Sequence, residues 1–156
     1  MSKAELVLVN ESGNCTLYTI QFTSDDQSEF EKFYKKFKDD LDLNEDLMRI
    51  ISVLSKIIDF GALERYFRPE GKIKDNVVAL PVVKSKLRLY GLRLSDKILI
   101  LGNGGVKNTR SYNEDEELKG YVITLQNFDK LIKEGIKQGK VKVMEKQLDI
   151  NKPIDI

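Results

Sequence analysis

Three observations predict an α+β fold, with an antiparallel twisted sheet of about four to five strands packed against an N-terminal helical hairpin, plus a C-terminal helix. Residues 24–61 hold two consecutive segments of helical period. Residues 77–101 hold short apolar segments threaded by Lys and Arg. Residues 114–139 return to helical period. The whole chain, 1–156, reads as a single domain with its core at about 16–112. An added strand at 4–10 precedes that core, a helical cover at 114–139 follows it, and a polar tail predicted to be mobile runs over 145–156.

The first element is a hairpin, Glu5–Val9 and Thr16–Phe22, whose connection Asn10-Glu11-Ser12-Gly13-Asn14 is made of turn residues. Ser24 and Gln27 have capping-box spacing and open a helix. Phe30, Phe33, Tyr34 and Phe37 then form one aromatic stripe at steps of three and four, which is a core face. Asn44 caps a second helix, in which Leu47, Ile50, Ile51, Leu54, Ile57 and Ile58 keep the same period until Gly61. A short link between two amphipathic helices gives the expected hairpin.

Val77–Val83 is a buried strand in which Pro81 marks an edge or an irregularity. In Lys84–Leu94 the parity is informative. Lys84, Lys86, Arg88 and Tyr90 share one side, and Leu87 and Leu89 share the other. A bulge at Gly91 would return Leu92 and Leu94 to the core and bring Arg93 to the side of Arg88. Ile98–Leu101 is a short buried strand, and Gly102-Asn103-Gly104-Gly105 is its sharp exit. Asn113 caps the last helix, either continuous or bent near Gly120, and Val141 and Val143 can add a strand.

Composition narrows the chemistry. The chain has no histidine and one cysteine, Cys15. This excludes Ser-His and Cys-His hydrolases and nearly all zinc sites, so no metal and no cofactor are expected. A single cysteine agrees with a reducing compartment, and Met-Ser-Lys-Ala-Glu lacks the apolar core of a signal peptide. No apolar run reaches the roughly 20 residues of a membrane span. A cytoplasmic protein without a membrane partner is the resulting expectation. The net charge of +1 conceals segregation: residues 65–110 carry eleven bases against three acids, and residues 24–64 carry eleven acids against six bases. Such separation suits a basic face directed at a polyanion, although scattered solvated bases give the same count.

The residues that can carry chemistry are Lys84, Lys86, Arg88, Arg93, Lys107 and Arg110, with Tyr90 and Tyr112. The glycine run before Lys107 lacks the spacing of a phosphate loop. The acids Glu114–Glu117 suit a helix start better than a metal site, because consecutive carboxylates point in different directions.

The segment order, Leu17-Tyr18-Thr19-Ile20-Gln21-Phe22, Lys86-Leu87-Arg88-Leu89-Tyr90, and Ile98-Leu99-Ile100-Leu101 running to Lys107-Asn108-Thr109 together resemble the RelE/HigB/ParE superfamily of toxins from type II toxin–antitoxin pairs. The resemblance covers roughly residues 17–112. It implies a compact, microbial-RNase-like fold with a basic groove on the sheet. It also implies a metal-independent mRNA endoribonuclease (an mRNA interferase) that inhibits translation on the ribosome, held inactive by a cognate helix-turn-helix antitoxin. Arg88 matches the arginine that contacts the scissile phosphate, and Lys107 matches the first base of the strand exit. Tyr112 lies near a terminal tyrosine of some members, and Lys84 and Lys86 match basic strand positions loosely. Asn108 stands where members usually have a second base.

In the reaction so implied, the ribose 2′-hydroxyl attacks phosphorus, leaving a 2′,3′-cyclic phosphate and a 5′-hydroxyl. Arg88, Lys107, Tyr112 and Lys86 are the catalytic candidates, and Lys84, Tyr90, Arg93 and Arg110 the RNA-binding ones. Arg88 with Arg93 or Arg110 would stabilise charge, Lys86 or Lys107 would act as base, and Tyr112 or Tyr90 as acid. The alternative is a non-catalytic binding module acting on nucleic acid or on a protein such as a topoisomerase.

Overall fold

The computed structural model describes residues 3–70, 75–81, 83–108, 112, 115–150 and 154–155. Strands β1 (Lys3–Glu11) and β2 (Thr16–Phe22) form the first hairpin, followed by helices α1 (Glu29–Phe37) and α2 (Asn44–Phe60). A short 3-10 turn (Glu64–Tyr66) leads to β3 (Arg68–Pro69), β4 (Val77–Leu80), β5 (Leu87–Ser95) and β6 (Ile98–Val106). Helix α3 (Glu116–Lys137) and strands β7 (Val141–Val143), β8 (Leu148–Ile150) and β9 (Ile154–Asp155) complete the chain.

Seven strands form one sheet in the order β3-β4-β5-β6-β2-β1-β9, and β7 and β8 pair separately. The antiparallel sheet of four to five strands expected from the sequence is therefore corrected to a larger, mixed sheet. Strand β2 runs parallel to β6, from Thr16 opposite Ile98 to Thr19 opposite Leu101. A parallel pair needs a long crossover, and the segment carrying α1, α2 and the β3–β5 strands supplies it. Nor do α1 and α2 form a hairpin that docks as a unit. Helix α1 lies mainly against β6 and β2, and α2 against β5.

Both faces of the sheet are covered. One core joins Phe33, Phe37, Leu47, Ile50, Leu54 and Ile57 of the first two helices to Leu17, Leu87, Leu89, Leu99 and Leu101. The other joins Leu118, Val122, Leu125, Phe128 and Ile132 of α3 to Ile20, Val77, Ala79, Tyr90, Leu92 and Ile100. Burial of each large apolar side chain contributes about 1.5–3 kcal/mol, so α3 is an integral layer. The two covered faces also explain the unbroken apolar run Ile98–Leu101, whose alternate residues face opposite layers.

Local corrections have local causes. The capping box of α1 is Ser28 with Glu31, each side chain bonding the other's backbone N–H, rather than Ser24 with Gln27. Leu43 occupies the N-cap of α2 without a side-chain bond, and Asn44 is already helical. Asp115 caps α3, its carboxylate accepting from Leu118 N at 3.1 Å, while Asn113 lies outside the described residues. Helix α3 runs unbroken through Gly120. Beyond Glu145 the tail, expected to be mobile, carries β8, paired to β7, and β9, paired to β1. Among the described residues no helix is long and apolar enough to cross a membrane.

The glycine run is strand, not a turn. In the β5–β6 ladder Leu89 pairs with Gly104 and Gly91 with Leu101, so β6 carries the extra residue of a bulge. A bulge in β5 at Gly91 is thus not what forms. Gly91 faces β6 closely, where a Cβ would meet Ile100 O at 2.9 Å.

Candidate nucleic-acid site

Sheet register assembles the site. Arg68 of β3 pairs with Ala79 of β4, which pairs with Tyr90 of β5. Paired residues project to the same side of a sheet, and Ala79 and Tyr90 belong to the α3-side core. Arg68 therefore lies on that side, at the short outer strand. Glu70 N donates to Val77 O at 3.0 Å, which sets Glu70 beside β4. Arg88, two residues before Tyr90 in β5, shares its side, and Lys86 stands just before the strand. Arg88 pairs with Gly105 of β6, and Lys107 N donates to Lys86 O at 2.8 Å. The α3 layer begins here, because a Cβ on Gly105 would lie 3.2 Å from Leu118.

Arg88 is the centre of this rim. It is only 5% exposed, and its Nη1 donates to Ser85 O and Leu87 O, each at 3.0 Å. Its Nε is buried and has no hydrogen-bond partner among the described residues. Burial, and then the Arg68 charge, hold its guanidinium below the ordinary arginine value, while Glu70 opposes that shift. Burial raises the Glu70 carboxyl above its ordinary value, against the pull of Lys107, Arg68 and Arg88. Burial also raises the Tyr90 hydroxyl, with Glu70 adding to the effect. Three cations and one carboxyl thus converge where β3, β5 and the end of β6 meet.

The other candidates separate. Lys84 and Lys86 are exposed, and Lys86 N donates to Asp46 Oδ2 at 2.7 Å. Tyr112 is half-buried against the α3-side core, near Tyr90. Arg110 lies outside the described residues. Tyr90 is 1% exposed, so no base can stack on it; it is a core residue. Arg93 falls on the α1/α2 side instead of joining Arg88. Its Nε donates to Ala62 O at 2.6 Å, and its Nη2 is paired with Asp96. Because β5 has no extra residue between Arg88 and Arg93, strict alternation puts the two on opposite faces.

Arg68 and Glu70 were missed by the sequence reading, because they stand before β4 in a turn-rich bridge. A lone Arg-Pro-Glu gives no strand signal; only its pairing with Val78 and Ala79 makes it an outer strand. A second polar knot bridges the two helical layers: Lys36 Nζ donates to Gly104 O, Glu117 Oε1 and Tyr121 Oη at 3.1–3.2 Å. It ties α1 to α3 past the half of β6 that β2 no longer covers. Among the described residues no group of three or more Cys, Asp or Glu side chains could hold a metal ion. No family model, curated protein or solved structure matches the chain.

Proposed function

We propose that the protein is a metal-independent endoribonuclease toxin of a toxin–antitoxin pair, acting on messenger RNA at the ribosome in the cytoplasm. The observation that carries this reading is the buried guanidinium of Arg88, with Nε unpartnered, in the electrostatic company of Arg68, Lys107 and Glu70. A guanidinium with a spare donor is suited to a phosphoryl oxygen. Arg88 with Arg68 would stabilise the charge that develops when the 2′-hydroxyl attacks phosphorus. Glu70, its carboxyl raised by burial, would take the 2′-proton, and Lys107 or Tyr112 would protonate the departing 5′-oxygen. The bond from phosphorus to the 5′-oxygen breaks as the bond to the 2′-oxygen forms, so no outside reactant is required. A cognate antitoxin would hold this activity in check.

The test is induction in cells, followed by mapping of message 5′ ends. Codon-phased cuts that vanish in Arg88→Ala support the enzyme. Arrest without cuts removes it in favour of a binding module, a reading that the low exposure of Arg88 and Tyr90 favours.

A further inference from the structure

The outer face of α3, turned away from the sheet, carries a line of bases. Lys119, Lys130 and Lys137 are spaced by eleven and seven residues, close to three and two whole turns, so they share one side of the helix. They span roughly 27 Å at 1.5 Å per residue. Past the helix, Lys140 N donates to Gly135 O, and Val141 packs onto Gly135 so closely that a Cβ there would collide with it. That contact fixes the chain beyond Gly139 against the helix end, where the exposed Lys140 adds a further base.

Residues 130–146 hold six lysines against Glu134 and Glu145, a balance of +4 in a chain of net +1. Glu145 is paired with Lys97, and Glu134 accepts from Gln138 Nε2. Lys133 is paired with the buried Asp129, and Lys142 stands opposite Asp149. Lys119, Lys130, Lys137 and Lys140 enter no ion pair among the described residues, and the last three are exposed. Between Lys119 and Lys137 the face holds Ile123, Asn127 and Glu134, with no aromatic ring on which an unpaired base could stack.

We infer that this face binds the phosphate backbone of a folded RNA, through Lys119, Lys130, Lys137 and Lys140. The choice of RNA rests on the function proposed above. The preference for a duplex follows from a straight, ring-free row of point charges on a rigid helix. Such a surface would hold the protein on a structured RNA while the Arg88 rim, near its Lys119 end, engages a message.

The experiment measures fluorescence anisotropy of a labelled RNA hairpin against salt, with the full chain and the triple variant Lys130→Glu, Lys137→Glu, Lys140→Glu. A Lys→Gln triple variant, checked by circular dichroism, serves if charge reversal disturbs folding. At least tenfold weaker hairpin binding and a shallower salt slope in the variant are expected. Equal binding by variant and wild type, no salt-dependent binding by wild type, or tighter binding of a DNA duplex would each overturn the inference. Message cleavage is scored separately. A protein that cuts nothing but binds the hairpin through these lysines keeps the surface and loses the endonuclease.

Discussion

Arg88 of β5 stands opposite Gly105 of β6, so the guanidinium lies beside a position with no side chain. Among the described residues its Nε has no partner in a buried setting. An unsatisfied buried donor costs about 1–3 kcal/mol, and such a cost has to be offset elsewhere in the fold. A ligand oxygen would satisfy it. Arg88→Ala is therefore expected to abolish message cleavage and to lower unfolding free energy by about 1–3 kcal/mol, since Ser85 O and Leu87 O lose their donor while the unsatisfied Nε is removed. A large loss of stability with cleavage retained would make Arg88 a structural residue only.

Arg93 serves the opposite face. It clamps Ala62 O, just past α2, and Asp96 in the β5–β6 turn. Arg93→Ala should lower the urea midpoint, by about 1–3 kcal/mol in unfolding free energy, because it orphans a buried carbonyl. RNA cleavage per folded molecule should not change.

Glu70 links the rim to pH. Its carboxyl is raised above 4.5 by burial. A carboxyl higher in the folded than in the unfolded state supports the fold while protonated. That support is complete below 4.5 and is lost as pH rises through the raised folded value. Permanently neutral Glu70→Gln should match wild type in stability near about pH 4 and exceed it near pH 7. Urea unfolding at the two values decides the matter, and equal stabilities at both would mean that the carboxyl stays solvated.

Gly104 tests the bulge. A Cβ there would fall within the carbonyl of Arg88, which is backbone and cannot swing aside. Gly104→Ala is expected to cost about 3 kcal/mol or more and to displace Arg88, so that stability and cleavage fall together. Gly120→Ala, which meets no atom within 4 Å, is the control and should stabilise α3 by about 0.5–1 kcal/mol.

Asp129 sits 2% exposed on the inner side of α3, accepting from Asn76 Nδ2 at 2.9 Å and Lys133 Nζ at 2.8 Å. It ties the approach to β4 onto the helix. Asp129→Ala should destabilise by about 1–3 kcal/mol, because the Asn76 amide loses its acceptor, and hydrogen exchange should quicken at Val77–Leu80.

The sequence by itself determined the elements that local patterns encode. Period-two alternation marked β2 and β5, unbroken apolar runs marked β1 and β6, and three- and four-residue steps marked α1, α2 and α3. Parity alone put Arg88 and Tyr90 on one side of β5, since alternation within a strand needs no knowledge of its neighbours. The tertiary structure decided everything that depends on a distant partner. It set β2 parallel to β6 and laid α3 over the face expected to be an open groove. It also moved the bulge from β5 to β6, which sent Arg93 to the far side. Arg68 and Glu70 joined Arg88 only through strand pairing across β4. Pairing and layer contacts are made between residues tens of positions apart, and no local period records them.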